Sequence, residues 1–188
     1  GFADGASPRV LSGQFSEAQH AELAAATGQQ AAILGAEYCS GFGIHPVATA
    51  AETCIWRTLN PGLIKHAKAG GLIRILSHFH NPTNEKYGGL RDRTARIAAI
   101  LTDGTAERGR WLATLDEVAA GIKDLERNDC PVIFGPLHEH NCKGFWWGMG
   151  NSTEMTAECF RELGRDIVCH LRDRHGCRYK RGLSSATA

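Results

Sequence analysis

The amino-acid sequence predicts an α/β fold, a (β/α) TIM-barrel that is incomplete, with about four β/α units. Three observations carry that expectation. Short apolar runs alternate with helical segments long enough to serve as parallel crossovers. The runs are continuously apolar, as strands covered on both faces are. Each run also turns polar at its C-terminal end, the end at which a barrel collects its chemistry. An open, doubly wound sheet is the competing architecture, but no GxGxxG or P-loop follows any of the runs.

PRVLSGQF (8–15) reads as the first strand, after which Ser16 caps a helix that Gly28 ends. AAILGAEYC (31–39) is the second strand, with Glu37 and Tyr38 at its polar end. A glycine-rich loop (41–46) and a mixed segment lead to Trp56. Asn60 and Pro61 then open a helix carrying Leu63, Ile64 and Ala67, which Gly70 and Gly71 stop. LIRILSHFHNP (72–82) is the third strand, and the turn-rich stretch 83–104 is an excursion above the sheet. The clearest helix runs from about 106 to 127, where Trp111, Leu115, Val118, Ile122 and Leu125 recur at helical spacing. The fourth strand starts at Pro131. Ser152, Thr153 and Glu154 open a last helix that runs to about Arg174.

With 188 residues, 43% of them hydrophobic and 22% charged, the chain is expected to form one domain. A formal charge of +1 gives no reason to invoke nucleic acid or an anionic membrane. The basic residues Arg172, Arg174, Arg178, Lys180 and Arg181 read as a solvated helix face and tail. No apolar run approaches the roughly 20 residues that span a bilayer, and no signal-peptide pattern is present. Because the chain begins at Gly1, a processed or partial product is expected. Seven cysteines without a CxxC spacing exclude a zinc ribbon, and mostly free thiols are expected. Four units are half of a barrel of about 250 residues. The edges of strands one and four are therefore expected to lack partners, and the chain to self-associate through them.

Candidate chemistry gathers in PVIFGPLHEHNCKGFWWG (131–148), an apolar strand that delivers His138, Glu139, His140 and Asn141 and closes on Phe145, Trp146 and Trp147. A carboxyl group at a barrel mouth among apolar neighbours can protonate a glycosidic oxygen; the plainer reading of Glu139 is a surface loop glutamate. His78 with His80 and His138 with His140 are two HxH pairs, each able to hold a metal ion, although no bridging carboxylate or lysine accompanies them. Trp146 and Trp147 offer a stacking surface for a sugar ring, with one of the two expected to pack under a loop. Glu37 is expected to make a structural hydrogen bond. Cys142 as a thiol nucleophile lacks an evident base and orienting group.

On these residues the chain resembles glycoside hydrolase family 26, retaining barrel enzymes best known as endo-1,4-β-mannanases. The resemblance rests on NPGLIKHAKAGGLIRILSHFHNP (60–82), on LTDGTAERGRWLATLDEVAAGIKDLERNDCPVIFGPLHEHN (101–141) and on VLSGQ (10–14), and covers most of 8–175. It implies that Glu139 is the general acid/base, with His138 and Asn141 beside it. It further implies that His78 and Asn81 line the cleavage subsite, and that Phe145, Trp146 and Trp147 form the aromatic run after the acid. It implies no cofactor and no metal, a secreted protein, and a β-linked polysaccharide substrate of the mannan type. β-1,3-Xylan and mixed-linkage β-glucan are the alternatives within the family, and a non-catalytic carbohydrate-binding remnant lies outside it. Four positions depart from the family pattern: Gly135 for Arg, Cys142 for Gly, Gly144 for Trp and Ser77 for Trp. The family's nucleophilic glutamate lies much farther on, and 178–188 lacks the apolar character of a fifth strand. The chain is therefore expected to be the N-terminal half of a catalytic domain, inactive or nearly so alone.

Overall fold

A computed structural model describes residues 11–40, 47–141, 143–149 and 154–182. Its centre is a parallel sheet in the order β1-β2-β3-β4-β5. The strands are β1 (Gly13–Phe15), β2 (Ile33–Ser40), β3 (Leu72–His78), β4 (Val132–Pro136) and β5 (Lys180–Arg181). Strand order equals chain order, and every neighbour is parallel, the arrangement of a barrel wall. The glycine-rich loop at 41–46 lies outside the described residues, as do residues 8–10 of the expected first strand.

The connections are helical. α1 (Glu17–Thr27) begins under Ser16, whose side chain accepts from Gln19 N, and ends at Gly28 in the left-handed conformation. α2 (Ala50–Thr53) is a single turn held by a reciprocal Thr49–Glu52 capping box. Next to it a Cys39–Cys54 disulfide ties the end of β2 to the turn. The expectation of mostly free thiols is thus modified by one pair, while Cys130, Cys159, Cys169 and Cys177 are free.

α3 (Trp56–Lys68) begins a turn earlier than the Asn60-Pro61 start read from the sequence, so Pro61 lies inside it. Tertiary bonds hold that extra turn. Asn60 is buried, accepts from Tyr38 Oη (2.5 Å) and donates to Gly121 O (3.0 Å) and Asp124 Oδ2 (2.9 Å). Trp56 Nε1 and Arg57 both donate to Glu117. α4 (Ile97–Leu101) closes the excursion after β3, and α5 (Ala106–Arg127) follows as expected.

α5 sets the core. Trp111, Leu115, Val118, Ile122 and Leu125 are fully buried against Ile73 and Ile75 of β3 and Val132 and Phe134 of β4 in one cluster. Each such side chain contributes roughly 1.5–3 kcal/mol of burial. Alternation puts Arg74, Leu76 and His78 of β3, and Ile133 and Gly135 of β4, on the opposite face. That face would be the inside of a closed barrel.

Two boundaries near the C-terminus are corrected. α6 (Ala157–Val168) is capped by Thr156 accepting from Cys159 N, later than the start expected at Ser152 and Thr153, which lie outside the described residues. It continues as a π-helical turn, Cys169–Arg174. A fifth strand exists where the composition argued against one. Lys180 and Arg181 pair with Ile133 and Phe134, and Gly182 N donates to Phe134 O (2.8 Å). Such a short edge strand draws on backbone bonds and on Tyr179, whose ring meets Phe134 edge-on at 5.5 Å, so its exposed Lys and Arg need not be apolar. The outer edge of β4 is therefore partly covered. A Cβ added at Gly135 would stand 3.0 Å from Leu76 Cδ2 and 3.3 Å from Gly182 O, so the absence of a side chain there makes room for this strand.

Candidate active site

The polar ends of β2, β3 and β4 converge. Beyond Pro136 the chain turns sharply: Leu137 (φ 54°) and Glu139 (φ 51°) both adopt the left-handed conformation. Non-glycine residues held this way cost on the order of 1–3 kcal/mol each and persist only where their surroundings fix them. Here Trp147 Nε1 donates to His138 O (3.0 Å) and Met149 N to His140 O (2.9 Å), so the turn is bonded to the loop that follows it. Glu139 Oε1 lies 3.2 Å from His138 Nε2, with its side chain about one-third exposed (33%).

His78 is the second fixed group. Glu37 Oε1 accepts from His78 N (2.5 Å), and Glu37 Oε2 is 2.6 Å from His78 Nδ1. The carboxylate places the proton on Nδ1 and turns Nε2 away from β2. The sequence-level expectation of a structural hydrogen bond at Glu37 thus has a specific content: it orients His78. The His78 and His138 rings meet edge-on at 4.8 Å, and Phe145 contacts His78 at 5.3 Å. Burial and the neighbouring His78 hold the His138 imidazole below the ordinary histidine range, outweighing the pull of Glu139 and Glu37.

Asn81 is fully buried just beyond β3, its backbone bridged to Gly88 and its Oδ1 accepting from Thr83 N (3.0 Å). Asn81 Nδ2, Ser77 Oγ and His80 Nδ1 are buried without a hydrogen-bond partner among the described residues. An orphaned buried polar atom costs about 1–3 kcal/mol, so three of them along 77–81 mark hydrogen-bonding capacity that the chain leaves unused. Burial also lowers the His80 pKa. Asn141 is exposed in the turn after Glu139, and Cys142 lies outside the described residues.

One reading from the sequence is corrected. Trp146 and Trp147 are both fully buried, so neither presents a ring face to a sugar. Trp146 Nε1 donates to Phe79 O (2.8 Å) and its ring packs on Trp111, while Trp147 is enclosed by Phe145, Phe79 and His78. They support the site from beneath. Histidines of both HxH pairs are engaged in other contacts. His78 Nδ1 is taken by Glu37, His140 packs on Phe160 (5.0 Å), and the one trio of ligand atoms close enough to share an ion among the described residues lies elsewhere.

Three comparisons bear on this geometry. The family model for glycosyl hydrolase family 26 matches residues 4–180. A mannan endo-1,4-β-mannosidase of Bacillus subtilis (strain 168) is 32% identical over 191 residues, covering 89% of this chain and 49% of that protein. The crystal structure of a mannanase from Bacillus subtilis superposes with a TM-score of 0.82 at 31% identity, covering 92% of this chain and 55% of that one. A β-(1,4)-mannanase of Podospora anserina shares the fold at 23% identity, with a TM-score of 0.72 over 89% of this chain and 38% of that one. The chain thus spans about half the length of that Bacillus subtilis mannosidase.

Proposed function

Since the chain belongs to glycosyl hydrolase family 26, we propose that it supplies the acid/base half of a retaining glycosidase centre acting on β-1,4-mannan. The observation that carries this reading is the turn after β4, where two left-handed residues set Glu139 beside His138 and above a bonded aromatic floor. In the retaining reaction Glu139 would protonate the glycosidic oxygen as the bond to the anomeric carbon breaks. It would then take a proton from the water that releases the sugar. His138, whose charged form is disfavoured by burial and by His78, hydrogen-bonds the carboxyl group. His78, oriented by Glu37, presents Nε2 to the same space, and the buried Asn81 amide has a donor to spare for a sugar hydroxyl. Asn141, exposed two residues beyond the acid, is the further polar contact.

Retention of configuration needs a second carboxylate about 5–5.5 Å from the first. Glu37 is committed to His78 through both oxygens. The nucleophile is therefore assigned to the part of the barrel beyond these residues, and the chain is inactive or nearly so by itself. Mannan as substrate is supported by the names of the relatives. Export to an oxidising compartment is supported by the Cys39–Cys54 disulfide. No helix among the described residues is long and apolar enough to cross a membrane.

The test is Glu139→Gln in a chain extended to the whole barrel. A loss of kcat on mannan of about 10²–10⁴-fold is expected, with the circular dichroism spectrum unchanged. Activity within a few fold of the parent would remove Glu139 from the chemistry.

A further inference from the structure

Three metal-ligating side chains meet on elements that carry none of the groups assigned to glycoside hydrolysis. Asp116 projects from α5, while His170 and His175 belong to the π-helical turn after α6 and its flank. Both imidazoles direct Nε2 at the same carboxylate oxygen, His170 at 2.7 Å and His175 at 2.8 Å from Asp116 Oδ1. Their ring centroids are 4.9 Å apart. All three ligand atoms lie within 4.8 Å of one another.

The widened turn makes the pair. In an α-helix each residue steps about 100°, so side chains five apart point well away from each other. Here His175 N donates to His170 O (3.3 Å), a bond across five residues, and the larger turn brings the two side chains onto one face.

We propose that Asp116, His170 and His175 form a binding site for a divalent transition-metal ion, Zn²⁺ above all. Two imidazoles and a carboxylate select zinc and its neighbours over magnesium or calcium, and three protein ligands leave one tetrahedral position for water. Tetrahedral donors at bond lengths of about 2.0–2.1 Å stand about 3.3 Å apart, so the present separations must open by roughly 0.5 Å. The site has room on its solvent side: the Asp116 and His175 side chains are 47% and 29% exposed, while His170 at 5% is the fixed anchor. The neighbouring thiols are engaged elsewhere, Cys177 with Ala119 O (3.8 Å) and Cys169 with Asp173. Binding replaces the two imidazole contacts to Asp116 by metal bonds through Nε2, with each ring proton carried on Nδ1, and it clamps the π-helical turn to α5.

The metal-free chain is titrated with Zn²⁺ by calorimetry and with Co²⁺ by visible absorption. One equivalent is expected to bind at micromolar concentration or below, with tetrahedral cobalt bands and no sulfur charge-transfer band. Asp116→Asn and His175→Gln, both at solvent-accessible side chains, are each expected to weaken binding at least about tenfold. His66→Gln, in the separate His20–His66 ring pair, is expected to leave it unchanged. Absence of stoichiometric uptake, a thiolate band, or unaltered affinity in both site variants would overturn the assignment.

Discussion

At the scale of single residues, three histidines in different parts of the fold have their charged form disfavoured. His80, His138 and His170 all have pKa values lowered chiefly by burial. The unfolded chain therefore takes up protons at these positions first as the pH falls through the ordinary histidine value of about 6.5. Stability is full above that value and declines below it, until the folded-state pKa values are passed. The urea midpoint is expected to drop between pH 7 and pH 5, and replacing His80 by Gln should flatten part of that slope. A midpoint that stays level or rises over the interval contradicts the assignment. That Glu139, His138, His78 and Asn81 sit at the polar ends of β3 and β4 was legible in the sequence, because each lies at or just past the end of an apolar run. The burial of Trp146 and Trp147 was not. Tandem tryptophans after a strand look alike whether they face solvent or the core, and their indole N–H bonds to Phe79 O and His138 O are set by the fold.

At the scale of elements, α5 has little freedom to change. Gly121 faces Tyr38 and Trp56, and an added Cβ would come within 2.6 Å of Tyr38 Cε2 and 2.8 Å of Trp56 Cβ. Gly121→Ala is accordingly expected to destabilise by about 1–3 kcal/mol despite the better helix propensity of alanine, measured as a lower urea midpoint. An unchanged or higher midpoint would mean that α3 can withdraw from α5. The 3.6-residue period of Trp111 to Leu125 made this helix legible in advance. The start of α3 was hidden because its first turn is held by Glu117 and by the Asn60 bonds, partners 60 or more residues away. The second strand of error, β5, was hidden for a related reason: its hydrogen bonds come from the backbone, which composition does not report.

At the scale of the whole molecule, the sheet is, among the described residues, a wall with one flank open. Among the described residues β1 pairs only with β2, and Phe15 and Ile55 stand 42% and 44% exposed there. A cleft of about 170 Å³ opens beside them, between β1, β2 and α3. Sedimentation of the purified 188-residue chain is expected to show concentration-dependent association, and its mannan hydrolysis to be undetectable. A monomer that cleaves mannan would refute both the association and the proposal that the nucleophile lies elsewhere. The opposite flank carries a different consequence. Because a side chain at residue 135 would meet the carbonyl of residue 182, these two positions are not free to vary independently. A side chain introduced at 135 is expected to press on Leu76 and on the backbone beside β5, which must give by a few tenths of an ångström. Substitutions at the two positions should therefore be epistatic.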